Sequence, residues 1–344
     1  MVKPVPTKAL LLFAAVTAFG FLFPESLVAQ EFAVARNAQE IKTAVIKSLK
    51  LLETTAAKTA ESRSCFTCHG QALPVLAMAQ AQQRGLTIDQ ENLNRQLKHT
   101  HDHLSEGRAD YLQGKGLGGQ VDTAGWAAIT LKAGGWTADE VTAAVAEYLL
   151  KYHAEKDHWS SSSNRPPSEV SDFSATYAAL VTLDQFGTSE QQPRIATRKK
   201  QVKQWLLSAE ARDTEDQVFR LHSLRQLAVA EETILEKVRE LTALQRDDGG
   251  WAQTAEMTSD AYATSTVLVA LQQAGKLPVA NPVYQRGIEY LLKTQNEDGS
   301  WKVVTRSKPF QTYFESGFPH GADQFISTNA TGWAVIALLP AIPQ

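Results

Sequence analysis

The chain has 344 residues, 43% hydrophobic and 21% charged, with a formal net charge of −3. That length and apolar content can bury a large core, and a slightly acidic chain without a basic block excludes nucleic acid as a natural partner. Residues 1–29 read as a secretory signal peptide. Lys3 and Lys8 supply its positive end, Ala9–Phe23 is a 15-residue uncharged apolar run, and Leu27-Val28-Ala29 offers a small-residue cleavage site. The run is too short for a membrane span, which needs about 20 residues. The expectation is an exported protein of the bacterial periplasm or another extracytoplasmic space, with residues 30–344 as one domain.

The first amphipathic helix is expected over Ile41–Thr59, and after it comes Cys65-Phe66-Thr67-Cys68-His69, which holds both cysteines of the chain. Cys-x-x-Cys-His is the attachment signature of c-type haem. Its two thiols, Cys65 and Cys68, add to the haem vinyl groups, and His69 becomes the proximal iron ligand. A strained local disulfide is one rival reading, and a zinc half-site without its second cysteine pair is another.

From this point two kinds of helix alternate. One kind is small-residue-rich and apolar nearly all round, as buried helices are. Asp172 to Gly187 and Asp260 to Gly275 share Asp first, Ala-Thr three and four on, Leu at eight, Val at nine, Leu at eleven and Gly at fifteen. Ser327–Leu338 fits with Ser in the Asp slot, and Asp122–Gly135 and Gly70–Gly85 are looser copies. Asp or Ser first and Gly last are helix start and stop signals. The other kind carries one apolar stripe and a charged face: Ile88–Glu106, Ala138–Tyr152, Ile195–Ala209, Ile234–Gln245 and Tyr284–Gln295. Buried segments start near 70, 121, 172, 216, 260 and 327, with no strand pattern between them. Six such hairpins predict an all-α fold, an (α/α)6 toroid with the apolar helices inside; an open solenoid is the alternative.

Two linkers carry a shared pattern. Gln245-Arg-Asp-Asp-Gly249-Gly250-Trp251 follows one outer helix, and Gly287-Ile-Glu-Tyr290-Leu291 through Gln295 and Gly299-Ser-Trp301 follows the next. These resemble the QW repeats of squalene-hopene cyclases and of the wider terpenoid cyclase and prenyltransferase toroids, and Glu147–Trp159 looks like a third copy without its Gln. The resemblance covers roughly residues 40–340 and implies architecture, with the Gln amide capping a helix end and Trp stacked between helices. It also implies that Asp213-Thr214-Glu215-Asp216 is similar to the Asp-x-Asp-Asp run with which hopene cyclases protonate an alkene, with Glu215 in the acid's place. A carboxylic acid there donates a proton if burial raises its pKa. The plain alternative is that Asp213 and Glu215 only complement a helix N-terminus.

Histidines complete the candidates. Seven of the eight are expected toward one mouth of the toroid: His69, His99, His101, His103, His153, His158 and His320. His99–His103 has the plain reading of a solvated helix end. The long last linker, Lys302–Phe325, carries Phe310, Tyr313, Phe314, Phe318 and Phe325 and should lie beside His69, either walling a haem or plugging the mouth. His320 is then the expected distal iron ligand. The leading functional expectation is electron transfer or redox sensing through one covalent haem c, with an unspecified redox partner protein. The alternatives are a cyclase-like enzyme or binder acting on an isoprenoid or other lipid, with Asp213, Glu215 and Asp216 as catalytic candidates, and a non-catalytic scaffold.

Overall fold

A computed structural model of the chain describes the backbone of residues 1–2, 25–308 and 313–343, and side chains from residue 38 onward within those ranges. Residues 3–24 of the expected leader at 1–29 lie outside the described residues. Ala38–Gln344 forms one compact unit, and Met1–Asn37 is a separate one.

Thirteen α-helices are seen among the described residues: α1 Glu25–Ser62, α2 Leu73–Gln83, α3 Gln90–Glu106, α4 Arg108–Leu112, α5 Gln120–Ala133, α6 Glu140–Lys151, α7 Asp172–Phe186, α8 Gln192–Ser208, α9 Thr214–Gln226, α10 Glu231–Ala243, α11 Ala261–Gln273, α12 Pro282–Thr294 and α13 Gln324–Leu338. The inner set is α2, α5, α7, α9, α11 and α13. Each packs on the next, and α13 packs back on α2, so the ring closes. This is the all-α, six-hairpin toroid that the alternation of buried and striped helices predicts.

The caps explain where helices start. Asp89, Asp213 and Asp260 accept the third backbone N–H of α3, α9 and α11, and Asp139 and Thr142 form a reciprocal box on α6. Three expected starts differ. Ser171, not Asp172, caps α7, because the Asp172 carboxylate accepts from the Ser161 N–H at 3.0 Å and faces His158 Nε2 at 3.4 Å. Helix α5 begins at Gln120 after left-handed Gly119, which leaves Asp122 inside the helix and buried. Helix α13 begins at Gln324, and Ser327 is used to bind the Val303 N–H at 3.0 Å. Helix α4 was not expected; it packs on α6, with Tyr111 and Tyr148 at 5.4 Å between ring centroids.

The Gln–Trp pattern is a set of rivets. Trp159, Trp251 and Trp301 are fully buried, and each indole N–H donates to the carbonyl ten residues earlier (Leu149, Leu241, Leu291) at 2.8 Å. Each Trp backbone N–H donates to a Thr hydroxyl of the following inner helix: Thr176, Thr264 and Thr331. Gln245 donates to Val283 O at 2.8 Å and Gln295 to Ala44 O at 3.1 Å, so each amide ties its repeat to the next outer helix. The latter closes the ring. Gly249 (φ +85°) and Gly299 (φ +91°) turn left-handed against backbone, where a Cβ would meet Arg286 O at 2.6 Å or Lys47 C at 2.8 Å. In the copy that lacks Gln, Arg198 stacks on Trp159 at 4.4 Å and donates to His153 O and His158 O.

Candidate functional site

In this topology all outer-to-inner linkers open on one mouth, and inner helices begin there. Helix N-termini present unpaired N–H groups and partial positive charge, so the mouth is where carboxylates gather at lowest cost.

Asp213, Glu215 and Asp216 come together there in different roles. Asp213 is the cap of α9, accepting from the Asp216 N–H at 3.0 Å. Asp216 is completely buried, with Ser171 Oγ donating at 2.6 Å and Arg212 donating from N at 2.9 Å and from Nε at 3.0 Å. Glu215 takes no part in capping. It is 4% exposed and accepts a hydrogen bond from the Tyr262 hydroxyl of α11 at 3.1 Å. Burial, with the charges of Asp213 and Asp216 beside it, raises its carboxyl well above the usual range, and Tyr262 is raised too. Both groups are therefore held toward their protonated forms. Arg306, reaching in from the last linker, opposes this only in part.

Glu215 also sits over an aromatic cluster. Phe219 and His222 follow it at i+4 and i+7 on one face of α9. Phe219 meets Trp126 of α5 at 6.0 Å edge-on and Trp333 of α13 at 6.4 Å, and Trp126 meets Trp333 at 6.3 Å. Helices α5, α9 and α13 alternate around the ring, so these contacts cross its axis and fill the lumen at that depth. Tyr177 of α7 packs on Phe219 at 5.4 Å and on His222 at 5.2 Å.

The Cys-x-x-Cys-His run forms the turn before α2. Cys65 is exposed, whereas Cys68 is half-buried with Sγ 4.0 Å from Asp122 O. Burial, Glu169 and Asp122 push the Cys68 thiol up. His69 is 8% exposed and packs on Phe325 at 4.4 Å and Phe314 at 6.4 Å between centroids. Burial and the nearby Arg165 and Arg63 lower its imidazole to about 3, so it is neutral. His69 lines a cavity of about 190 Å³ together with Glu169, Phe325 and Asn329. Of the last-linker aromatics, Phe314 and Phe325 reach His69 as expected, and Phe310 lies outside the described residues.

The other histidines are engaged singly. His320, expected as the distal ligand, is not among the residues lining that cavity; its Nε2 lies 2.8 Å from Ser300 Oγ and its ring packs on Phe318. His101 pairs with Asp139 at 2.9 Å and stacks on Trp136, and His99 Nε2 lies 3.4 Å from Cys65 O. Among the described residues no three His, Cys, Asp or Glu side chains are grouped as a metal site. Sequence reasoning did not single out Tyr262, Asp122, Glu169 or Asn329. The Asp that opens the Asp122 copy is the sequence signal for one of them, and its position predicts a helix cap.

Comparison with known proteins points to cyclases. The squalene-hopene cyclase C-terminal domain model matches residues 214–322, which begins at α9 and its acidic run. A squalene–hopene cyclase of Bradyrhizobium diazoefficiens is 35% identical over 103 residues, covering 25% of this chain and 14% of that cyclase. Among solved structures, ent-copalyl diphosphate synthase from Streptomyces platensis shares the fold at TM-score 0.50 and 16% identity, covering 78% of this chain and 50% of that one. The chain thus matches half or less of the length of these relatives. These similarities overturn the expectation of a haem-c electron-transfer or redox-sensing protein and favour the isoprenoid alternative. Physically, the histidine of the motif is enclosed by two phenylalanine rings and its expected distal partner is turned to Ser300.

Proposed function

We propose that the chain is a terpene cyclase-like protein that acts on an isoprenoid polyene at the mouth of its toroid, with Glu215 as the acid that starts the reaction. The observation that carries this is a carboxyl buried at the start of an inner helix, hydrogen-bonded to Tyr262, raised well above the usual carboxylate range and followed on its helix face by a cluster of edge-on aromatic rings. Tyr262 donates to one Glu215 oxygen, which leaves the other to carry the proton. In the initiating step the carboxyl O–H bond breaks and a C–H bond forms at the less substituted carbon of an alkene. The carboxylate keeps the electron pair, and positive charge develops on the more substituted carbon. The faces of Trp126, Phe219 and Trp333 are the groups in this site suited to stabilise that charge. Exclusion of water by the buried wall protects the cation from capture. Asp213 and Asp216 flank the acid, and their negative charge adds to burial in favouring its protonated form.

Binding of a lipid without turnover is the second reading. The contacts of Trp126, Phe219 and Trp333 across the axis favour it, because they leave no open channel through the lumen at that level. One experiment separates the two. Purified protein is incubated with squalene and with geranylgeranyl diphosphate, and extracts are analysed by gas chromatography with mass spectrometry after phosphatase treatment. Cyclised product from wild type and none from Glu215→Gln supports the acid role; bound but unchanged lipid in both supports the second reading.

A further inference from the structure

A second cavity adjoins the one beside His69 at the mouth, and proton transfer by Glu215 makes no use of it. It measures about 510 Å³, within the size range of small-molecule sites, and is lined by residues 162–166 and by Arg306 and Lys308 of the last linker. Arg165, Pro166 and Lys308 border both cavities, so a polar, cationic space lies against an apolar one walled by Phe325 and Ile326.

The larger cavity is lined by three cationic side chains and, among the described residues, by no carboxylate. Arg165 is ion-paired to Glu169, so its charge is largely matched, and nearby Asp122 is raised by burial to about 7. Arg306 is held differently. Its Nη2 donates to Ala255 O at 2.9 Å, which fixes the guanidinium. Its Nη1 faces Met257 Sδ at 3.9 Å, a weak acceptor that an anionic oxygen would displace. Asp213, Glu215 and Asp260 lie within electrostatic reach of Arg306, and burial raises each of them toward its neutral form. Lys308 is exposed at the rim and takes part in no ion pair among the described residues. Positive charge is therefore in excess. Ser162 and Asn164 add neutral donors, and left-handed Gly119 brings the positive end of α5 to the same wall.

We propose that the cationic cavity binds a phosphate or diphosphate group carried on an apolar chain, with the first carbons of the chain against Phe325 and Ile326. An arginine fork, a lysine and hydroxyl and amide donors arriving from several sides match an anion with many oxygens, whereas a carboxylate would engage one cation alone. The apolar cavity of about 190 Å³ is of the order of the roughly 150 Å³ that accommodates benzene, so it takes about one five-carbon unit. This deepens the isoprenoid reading by giving the ligand a charged head, and it rests on that reading only for the nature of the chain. Its test is binding without turnover, so a failure of Glu215 as the acid is read separately.

Geranyl diphosphate, inorganic pyrophosphate and geraniol separate head from chain. Full-length protein is titrated with each by isothermal calorimetry in buffer without divalent cations. Saturable one-to-one binding of geranyl diphosphate is expected, about tenfold tighter than pyrophosphate, which burial of roughly two methylene-sized groups supplies. Geraniol should bind at least about a hundredfold more weakly than geranyl diphosphate. Arg306→Gln should weaken geranyl diphosphate by about tenfold or more, the loss of a charge-assisted hydrogen bond. Lys308→Glu, at an exposed position without an ion pair, should do the same and keeps the test readable should Arg306→Gln fold poorly. No saturable binding of geranyl diphosphate, equal affinity for geraniol, or unchanged affinity in both variants would each overturn the proposal. Pyrophosphate binding as tightly as geranyl diphosphate would overturn the chain-borne ligand in favour of a free anion.

Discussion

Replacing Glu215 by Gln separates a proton donor from a structural residue, because it removes the acid and keeps the shape. The amide oxygen of Gln can still accept from the Tyr262 hydroxyl, a bond of 3.1 Å in the wild type. Burial and the neighbouring aspartates favour the protonated form of Glu215, so at a pH low enough to protonate the carboxyl in both folded and unfolded chains the substitution exchanges one neutral group for another. At pH 4 unfolding free energy should therefore change by no more than about 1 kcal/mol, as a conserved hydrogen bond and a conserved volume require. Glu215→Ala is the contrast. It strands the buried Tyr262 hydroxyl, at about 1–3 kcal/mol, and opens a cavity, for a total of about 3–5 kcal/mol. The raised carboxyl also sets a pH dependence. With its folded pKa above the ordinary 4.5, wild type binds more protons folded than unfolded in that window, so its contribution is present below pH 4.5 and lost as pH rises through the folded value. The Gln variant should lack this decline. Polyene cyclisation should fall by about 10²–10⁴-fold, or roughly 3–5 kcal/mol of barrier. Urea denaturation from pH 4 to 9 and product analysis are the assays. Unchanged turnover in Glu215→Gln, or a loss of several kcal/mol at pH 4, would refute the reasoning.

His69, lowered to about 3, and His222, lowered to about 4 by burial, are neutral when folded and must take up protons on unfolding below pH 6.5. Their contribution is present above that pH and is lost as pH falls toward 4. The double variant His69→Phe with His222→Phe should therefore lose less stability than wild type between pH 7 and 4.5, measured by urea midpoints. Trp301→Phe removes the indole donor to Leu291 O from a fully buried rivet, so about 2–4 kcal/mol of stability should go, read as a lower midpoint of thermal unfolding. In thiol labelling of folded protein Cys65 should react at least about tenfold faster than Cys68, because it is exposed while burial and two carboxylates hold the Cys68 thiol protonated. Peptide mapping by mass spectrometry assigns the sites, and equal rates would show that the Cys68 environment is open.

Much of this molecule was written in its residue pattern. Periodicity of 3.6 with two kinds of helix, repeated six times, specifies hairpins, and an inner helix apolar on every side has to be surrounded. The Gln–Trp spacing was legible for a local reason: a Trp indole ten residues after its acceptor carbonyl needs only the helix end and the turn that lie between them. The acidic run at 213–216 was legible as a candidate through its resemblance to the Asp-x-Asp-Asp run of hopene cyclases. Which of them caps and which is buried was not. That depended on Tyr262, Ser171 and Arg306, which come from other parts of the ring.

The cysteine motif shows the opposite limit. Cys65, Cys68 and His69 fix a local spacing that several chemistries share, and the spacing alone favoured iron. What surrounds His69 is decided by residues up to 256 positions away, Phe325 being the farthest ring in contact with it. Sequence by itself determined the helices, their inside and outside faces, the tryptophan rivets and the place of the acidic run, because each follows from contacts within one or two turns of chain. Only the tertiary structure decided that Glu215 is buried against Tyr262, that the rings of Trp126, Phe219 and Trp333 meet across the axis, and that His69 and Asn329 line one cavity. Those properties come from burial and from charges brought together by ring closure, and no single segment carries them.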